Sequence, residues 1–344
     1  MPEIYKHKND FILESGEKLP GFELAYHTYG QRNADQSNVI WICHALTANS
    51  DAADWWEGLV GDGKLFDPAS HFIVCANMLG SCYGSTGPLS LNPATGKPYY
   101  SDFPFLTTRD MALAFDKLRQ HLGIAKIHIG IGSSMGGQQV LEWAIQQPEA
   151  FENIIPVASN SRMSAWAIAL NATQRMAIEA DPTWPEKHPQ AGKNGLRAAR
   201  AIGMLSYRNY QMFQTTQQEK DNRVDDFHAD SYQRYQGEKF VRRFNAHSYW
   251  VLSKAMDSHN VGRGFSSIDA ALQRIKANVL AIGVTSDILF PTSEQKFIAA
   301  ATKNGAYCEI DSDYGHDGFL VEYARLRKVI EDHFYQRMNK KLCY

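Results

Sequence analysis

A serine at the centre of a Gly-x-Ser-x-Gly pattern is the first residue of this sequence that could do chemistry. The pattern spans Gly132 to Gly136 and has Ser134 at its centre. An isoleucine-rich apolar run ends at Gly132, and a helix-capable segment begins just beyond Ser134. A sharp strand-to-helix corner leaves no room for side chains two residues before and after the serine, so glycines are needed there. The sequence therefore predicts a nucleophile elbow at Ser134. Ser133 fails the test, because isoleucine and methionine stand two residues from it.

A nucleophilic serine needs two partners elsewhere in the chain. Its hydroxyl is weak near neutral pH, so a base must take the proton and a third group must orient that base. Where such an elbow occurs, the acid and then the histidine follow the serine, each on a loop after a strand. Asp287 and His316 each come shortly after an apolar run with the character of a strand. We predict a triad of Ser134, Asp287 and His316, with Asp311 and Asp313 as alternatives for the acid.

Attack on an acyl carbonyl also creates an oxyanion, which two backbone N–H groups usually bind. One belongs to the residue after the nucleophile, which is Met135, and the other to a loop after an earlier strand. The loop that begins at His44 follows an apolar run and has the required position. We predict that Leu46 and Met135 provide the oxyanion hole.

Strands that alternate with helices are expected to position these residues. Continuous apolar runs are typical of strands covered on both faces, whereas the alternating segment 22–29 predicts an antiparallel edge strand. The predicted strands are 22–29, 38–43, 72–76, the run ending at 132, 154–158, 278–283 and 306–310. The predicted helices of this part are 109–122, with Thr107 or Thr108 as its cap, 135–148 and 319–338. The order predicts an α/β fold with a mostly parallel, doubly wound sheet.

The pattern changes between residues 162 and 264, where no convincing strand occurs. Long aromatic-rich helical stretches cover 163–179, 195–210 and 240–256, and the polar stretch 214–230 is expected to be a mobile loop. This predicts a helical insertion over the carboxyl edge of the sheet. We divide the chain into a core at 1–161, a helical lid at 162–266 and the rest of the core at 267–344.

Bulk composition excludes several classes of partner. The 344 residues carry 35 basic and 37 acidic side chains, a net charge of -2, so no overall field would attract nucleic acid or an anionic membrane. No signal-peptide core or run of about 20 apolar residues occurs, and we expect a cytoplasmic protein with a small-molecule substrate. Five scattered cysteines predict free thiols rather than disulfides or a metal site: Cys43, Cys75, Cys82, Cys308 and Cys343.

Several further motifs are specific enough to compare with a known family. They are His-Ala-Leu-Thr at 44–47, Trp-Trp at 55–56, the segments 77–88 and 102–104, and, in the insertion, 180–184, 199–207, 235–240 and 261–264. Together with the elbow, Gly-Ser-Ser-Met-Gly-Gly followed by Leu-Glu-Trp-Ala, they resemble the homoserine O-acetyltransferases of methionine biosynthesis. That family has the α/β-hydrolase fold, and the resemblance covers most of the chain.

The resemblance implies a two-substrate reaction. Acetyl-CoA would be the donor and co-substrate, with no permanently bound cofactor, and the acetyl group would pass through an acyl-serine to the hydroxyl of L-homoserine. It also implies that Arg200 binds the acceptor's carboxylate, that Tyr207 lines the same pocket and that Asp317 meets the ammonium group. A zwitterion needs one cation and one anion, and a guanidinium matches a carboxylate well. The family further implies a homodimer formed through the helical lid.

Departures from the family pattern leave alternatives open. Ser133 and Gln138 stand where glycine and methionine are more frequent, and Asn245 and His247 differ in the lid, which leaves the acceptor open. A related acyltransferase that uses succinyl-CoA or serine would have the same triad. The triad alone does not exclude an esterase, but Arg200 and Asp317 argue against one. A noncatalytic module on the same scaffold is disfavoured because all three triad positions are intact.

Overall fold

The computed structural model describes residues 1–341. The strands of its main sheet are β1 (Glu3–His7), β2 (Phe22–Tyr29), β3 (Val39–Cys43), β4 (Phe72–Ala76), β5 (Ile127–Ser133), β6 (Phe151–Val157), β7 (Asn278–Val284) and β8 (Gly305–Ile310). The longer helices are α1 (Thr108–His121), α2 (Met135–Gln146), α3 (Ala165–Glu179), α4 (Lys193–Tyr207), α5 (Tyr210–Gln217), α6 (His228–Val241), α7 (Ala246–Asp257), α8 (Thr292–Ala301) and α9 (Tyr323–Lys341). The shorter elements are the strand pairs Phe11–Ile12 with Lys18–Leu19 and Leu91–Asn92 with Lys97–Pro98, and the helical turns Ala52–Trp55, Tyr100–Asp102, Ile268–Leu272, Gly315–Asp317 and Gly318–Val321.

The central sheet has eight strands in the order β1-β2-β4-β3-β5-β6-β7-β8. All pairings from β4 to β8 are parallel, and β2 pairs antiparallel with both β1 and β4. The mostly parallel sheet is confirmed, but the prediction that 22–29 lies at the edge is wrong, because β1 covers it. Only Tyr5 of β1 is buried, so that strand has no apolar pattern by which it could be recognised.

Two apolar clusters cover the two faces of the sheet. All of β3 is buried, and its alternate residues belong to different clusters: Trp41 to one, Ile40 and Ile42 to the other. The first face packs against α1 and α2, with the rings of Trp41 and Trp143 at 5.0 Å edge to face. The second face packs against α9 through residues that include Leu326. Helices on both faces make the sheet doubly wound, as predicted.

The start of α1 carries the predicted cap. The Thr107 hydroxyl accepts a hydrogen bond from the backbone N–H of Asp110, and the Asp110 carboxylate accepts one from the N–H of Thr107 at 2.9 Å. This reciprocal arrangement satisfies two donors that the first helical turn would otherwise leave unpaired. It therefore stabilises the start of α1.

A partly buried ion network joins α1 and α2. Arg109 Nε lies 3.0 Å from the Glu142 carboxylate, and Arg109 Nη1 lies 2.6 Å from Glu14. The Glu14 carboxylate also accepts hydrogen bonds from Arg263 Nε and Nη2, at 2.8 and 2.9 Å. The end of the helical insertion therefore belongs to the same network. Burial raises the pKa of Glu142 to about 7, although Arg109 opposes the shift.

Helices α3 to α7 fill the chain between β6 and β7, which are neighbouring parallel strands. An isolated bridge between Arg162 and Asn260 joins the two ends of this segment. The prediction of one helix at 240–256 is wrong at its beginning, because α6 ends at Val241 and α7 begins only at Ala246. The side chain of Asn245, just before α7, accepts a hydrogen bond from the Ser248 N–H at 2.8 Å. The polar stretch 214–230 is partly helical. The division into a core and a lid stays a prediction.

The end of the chain differs in one respect from the expected helix at 319–338. A short helix, Gly318–Val321, comes first, and α9 follows after a break at Glu322. The first residue of α9, Tyr323, packs its ring over Gly58, where a Cβ would lie 2.0 Å from it. The described cysteines are free thiols, whereas Cys343 lies outside the described residues. Across residues 1–341, the longest helices are too short or too polar to cross a bilayer.

Candidate active site

The predicted elbow lies between the end of β5 and the start of α2. Ser134 has φ 54° and ψ -123°, a backbone conformation that residues with a side chain rarely adopt. Its N–H donates to the carbonyl of Val157 at 2.9 Å, and its own carbonyl accepts from the Ser159 hydroxyl at 2.9 Å. These bonds to the last residue of β6 and to the loop that follows it hold the strained residue in place.

The flanking glycines are required by close backbone packing. A Cβ on Gly132 would lie 2.3 Å from the carbonyl oxygen of Gly136, and a Cβ on Gly136 would lie 2.0 Å from that of Cys43. Both contacts are with main chain, which cannot rotate away as a side chain could. The prediction that neither position tolerates bulk is confirmed.

The structure brings Ser134, His316 and Asp287 into one hydrogen-bonded chain. His316 Nε2 lies 2.8 Å from the Ser134 hydroxyl, and His316 Nδ1 lies 2.6 Å from Asp287 Oδ2. Asp287 Oδ1 accepts the backbone N–H groups of Leu289 and Phe290 at 2.8 and 2.9 Å. Because a carboxylate only accepts, Nδ1 carries the proton and Nε2 is left to receive the one on serine. This is the arrangement of a general base and its orienting acid.

The two alternative acids do not reach the histidine. Asp311 leaves 92% of its side chain exposed and accepts a hydrogen bond from Thr285 at 3.2 Å. Asp313 is exposed as well. Of the three candidates, Asp287 alone contacts His316 among the described residues.

Aromatic rings surround the imidazole. The ring centroids of Phe290, Phe319 and Tyr207 lie 5.2, 5.3 and 6.0 Å from that of His316. Gly315, just before the histidine, has φ 65° and donates its N–H to the Ser286 hydroxyl at 2.9 Å. Packing and this turn together restrict the ring to the orientation that faces Ser134.

A pocket opens beside the serine hydroxyl. Its walls come from the loop after β3, the His316 turn and the helical insertion: Ala45, Leu46, Thr47, Ser134, Arg200, Tyr207, Met256, Leu289, His316, Asp317, Phe319 and Leu320. Thus Leu46 and the three predicted acceptor-binding residues all line it. Met135 begins α2 directly after the nucleophile, with a buried side chain. The oxyanion role of Leu46 and Met135 stays a prediction.

Arg200 brings to this pocket a positive charge that has no ion-pair partner among the described residues. Its Cζ atom lies 5.0 Å from the centroid of the Phe240 ring and 5.5 Å from that of Tyr207. Aromatic faces stabilise a guanidinium without neutralising it. Within residues 1–341 no carboxylate forms an ion pair with Arg200. The charge is therefore available to an anionic group of a ligand.

Asp317 provides the pocket's negative charge and has a partner that the sequence reasoning missed. Its Oδ2 lies 3.1 Å from Nε of Arg208, the residue directly after α4. Burial raises the pKa of Asp317, and the nearby charges of Arg208, Arg200 and His316 oppose the shift. The sequence offered one indication that Arg208 lies near the pocket, which is that it directly follows the predicted pocket residue Tyr207.

The departures in the lid lie away from this pocket. Asn245 caps α7, and His247 stacks on Trp184 with ring centroids 5.0 Å apart. His247 Nε2 also lies 3.1 Å from the carbonyl of His188. Neither Asn245 nor His247 is among the residues that line the pocket. Sequence reasoning missed Met256 and Leu320, which form part of its apolar wall.

Metal-ligating side chains are not gathered anywhere in the described part of the chain. No group of three or more histidine, cysteine, aspartate or glutamate residues among residues 1–341 has the geometry to hold an ion.

Known proteins similar to this chain agree on its family. A model of the α/β-hydrolase fold matches residues 38–323. A homoserine O-acetyltransferase of Cyclobacterium marinum is 55% identical over 337 residues, which cover 98% of this chain and 96% of the relative. The crystal structure of homoserine O-acetyltransferase from Bacillus anthracis superposes with a TM-score of 0.90 at 27% identity, covering 96% of both chains.

The fold itself is shared more widely. The crystal structure of esterase E22 has a TM-score of 0.87 at 23% identity and covers 96% of this chain and 99% of its own. That likeness concerns the fold alone, whereas the identity to the Cyclobacterium marinum protein extends over almost the whole chain. The chain belongs to the homoserine O-acetyltransferase family, within the α/β-hydrolase fold.

Proposed function

We propose that this protein moves an acetyl group from acetyl-CoA to the side-chain hydroxyl of L-homoserine through an acyl-serine intermediate. One observation carries the proposal: the hydrogen-bonded chain Ser134–His316–Asp287 opens on a pocket that holds the unpaired cation Arg200 and the anion Asp317. The names of the most similar relatives supply the acceptor.

The first half-reaction acylates the serine. His316 Nε2 takes the Ser134 proton as the hydroxyl oxygen attacks the thioester carbonyl, and Asp287 stabilises the imidazolium. The N–H groups of Leu46 and Met135 bind the oxyanion of the tetrahedral intermediate. The C–S bond then breaks, and the CoA sulfur leaves with the proton held by His316. Acetyl-Ser134 remains.

The second half-reaction transfers the acetyl group. His316 takes the proton of the homoserine hydroxyl, whose oxygen attacks the acetyl carbonyl of the acyl-serine. The tetrahedral intermediate collapses by breaking the bond to Ser134, and His316 returns its proton to the serine oxygen. O-Acetylhomoserine leaves, and the enzyme is restored without a net change in its own protonation.

The charges of the pocket fit an amino acid zwitterion. The guanidinium of Arg200 forms no ion pair within the described chain, so a carboxylate can bind without displacing an existing partner. The Asp317 carboxylate follows His316 directly and can receive the ammonium group. Tyr207 lines the same pocket, with Arg200 5.5 Å from its ring, and burial raises the pKa of its phenol, which therefore stays protonated and neutral. An ester substrate without charges would leave both Arg200 and Asp317 unused.

Water must be kept from the acyl-serine, because hydrolysis would waste the donor. Ser134 and His316 are only 6% and 4% exposed. Tyr207 and Met256 of the helical insertion help to enclose them. A bound acceptor would fill the remaining space and place its hydroxyl near the acetyl carbonyl, which raises the effective concentration of the correct nucleophile.

The same proposal includes a homodimer that forms through the lid and acts in the cytoplasm, where acetyl-CoA is available. Large apolar side chains are exposed on the helical insertion: Trp166 is 55%, Met176 65% and Leu205 57% exposed. Apolar surface gathered on one part of a protein favours burial against a partner. Sedimentation of the purified protein would test the dimer.

Rapid quenching with radiolabelled acetyl-CoA and no acceptor tests the acyl-serine. Label should appear on the peptide that contains Ser134, and Ser134→Ala should carry none. Release of CoA is then compared with homoserine, serine or water as acceptor, and with acetyl-CoA or succinyl-CoA as donor. Absence of label contradicts the mechanism. Equal release with water indicates a hydrolase, and preference for serine or succinyl-CoA indicates the related acyltransferases.

A further inference from the structure

The residue after α4, Arg208, lies against the turn that carries the catalytic histidine. A Cβ on Gly315 would lie 2.9 Å from both the carbonyl carbon of Arg208 and the carbonyl oxygen of Tyr207. The two segments therefore pack backbone to backbone, which only glycine permits at position 315. This contact brings the end of a lid helix directly against His316 and Asp317.

Arg208 and Asp317 form an ion pair across this contact. The two side chains are 24% and 15% exposed, and Arg208 Nε lies 3.1 Å from Asp317 Oδ2. The contact is an ion pair without hydrogen-bond geometry, because Arg208 Nε has no hydrogen-bond partner in the described part of the chain. The Asp317 carboxylate thus keeps its capacity to accept hydrogen bonds from a ligand. Arg200, the second guanidinium near Asp317, makes no ion pair within the described chain and lies against aromatic rings instead.

We propose that Arg208 is a positioning residue for acceptor recognition, which holds Asp317 as an ionised carboxylate that can bind the ammonium group of the amino acid. The inference rests on the proposed function, because it takes the acceptor to be an amino acid. It assigns the two arginines different tasks: Arg200 contacts the acceptor, and Arg208 acts through Asp317.

The electrostatic surroundings explain why Asp317 needs this support. Burial favours its neutral form, and the negative charge of Asp287 acts in the same direction. Arg208, Arg200 and His316 oppose this effect, and Arg208 is the largest of the three. Removing Arg208, the cation with the largest opposing effect, should therefore raise the pKa of the buried Asp317 carboxyl further, so that it is protonated over a wider range of pH. A neutral carboxyl cannot form a charge-assisted bond to an ammonium group, so acceptor binding would weaken.

The test compares Arg208→Gln with the wild type over a range of pH. A carboxyl whose pKa lies one unit above the assay pH is about one-tenth ionised, so the KM for homoserine should rise about tenfold there. The KM should return towards the wild-type value as the pH is raised. Acylation of Ser134 by acetyl-CoA without acceptor should show no such pH-dependent loss. If Arg208 only supported the local fold, its loss would not raise the KM for homoserine in a pH-dependent way while leaving acylation unaffected.

Two further variants make the test specific. Arg208→Lys keeps the charge and should keep the wild-type pH profile of KM. Arg197→Gln removes an arginine of α4 that pairs with Glu238 at 2.8 Å on the exposed side of the helix, and it should leave the KM for homoserine unchanged. Thermal unfolding verifies that each variant folds. If Arg208→Gln does not fold, Arg208→Lys carries the test, and a shifted pH profile in that variant overturns the proposal.

Several outcomes contradict the inference. An unchanged KM in Arg208→Gln overturns it, as does a loss that is the same at every pH or that affects acylation equally. Failure of the proposed function would look different: the wild type would acylate Ser134 but would not transfer the acetyl group to homoserine.

Discussion

Replacing Gly136 by alanine should separate the nucleophile from the loop proposed to stabilise the oxyanion. The added Cβ would lie 2.0 Å from the carbonyl oxygen of Cys43, 2.7 Å from its carbonyl carbon and 3.0 Å from the carbonyl oxygen of His44. All three atoms belong to the main chain where β3 ends and the predicted oxyanion loop begins. Since Cβ contacts under 3.0 Å essentially never occur, the backbone must move by about 1 Å.

The expected magnitudes follow from that displacement. A shift of about 1 Å between catalytic groups costs on the order of 100-fold in rate. Overpacking in a closely packed region lowers the free energy of unfolding by about 1–3 kcal/mol, which leaves a protein of this size folded at ambient temperature. We therefore expect Gly136→Ala to be folded and nearly inactive.

The assay measures kcat/KM from CoA release with a thiol reagent, together with Tm. The matched control is Gly96→Ala. Gly96 has φ 65°, and a Cβ added there would meet no atom of the described chain within 4 Å, so the substitution carries a backbone cost of about 1–2 kcal/mol without a clash. That variant should lose some stability and retain the wild-type kcat/KM. If Gly136→Ala retained most of the wild-type rate, the steric account of the elbow would be refuted.

Two other predictions concern the acid of the triad and the ion network behind the elbow. Asp287→Asn removes the acceptor for His316 Nδ1–H and should slow acylation about 10⁴-fold in rapid-quench measurements. Asp311→Asn changes the exposed alternative acid and should not slow acylation. Comparable acylation rates in the two variants would contradict the assignment of Asp287. Burial raises the pKa of Glu142 to about 7 in the folded chain, from its ordinary value of 4.5. Between pH 4.5 and about 7, the Glu142 carboxyl is therefore protonated in the folded state and ionised in the unfolded state. The free energy of unfolding should therefore fall by up to about 3 kcal/mol as the pH rises through this range. In Glu142→Gln, urea titrations at several pH values should show a smaller decrease. The same pH dependence of the free energy of unfolding in both proteins would contradict the prediction.

Features determined by local steric rules were the most predictable from the sequence. The elbow depends on glycines two residues from Ser134, so it could be located without coordinates, and the cap of α1 could be narrowed to Thr107 or Thr108, of which Thr107 is the cap. The proximity of Asp287 and His316 to the serine followed from the order of loops along a parallel sheet. Each of these inferences used a short stretch of chain or a rule of topology.

Features that depend on the approach of distant segments could not be predicted in this way. The pairing of Arg208 with Asp317 arises only because the end of α4 packs against Gly315, more than a hundred residues later in the chain. Strand β1 was missed because a single buried residue, Tyr5, gives no period. The break before α7 was missed because Asn245 caps a helix within a run that continues to look helical.

The place where the helical insertion joins the sheet has an evolutionary consequence. The chain departs after β6 and re-enters at β7, and these strands are hydrogen-bonded neighbours, with Ile154 opposite Val279. A stretch that starts and finishes at adjoining points can lengthen, shorten or be exchanged without disturbing the register of any strand. Selection could thus change the helical insertion, which contributes Arg200, Tyr207 and Met256 to the pocket, while the loops that carry the triad stay unchanged.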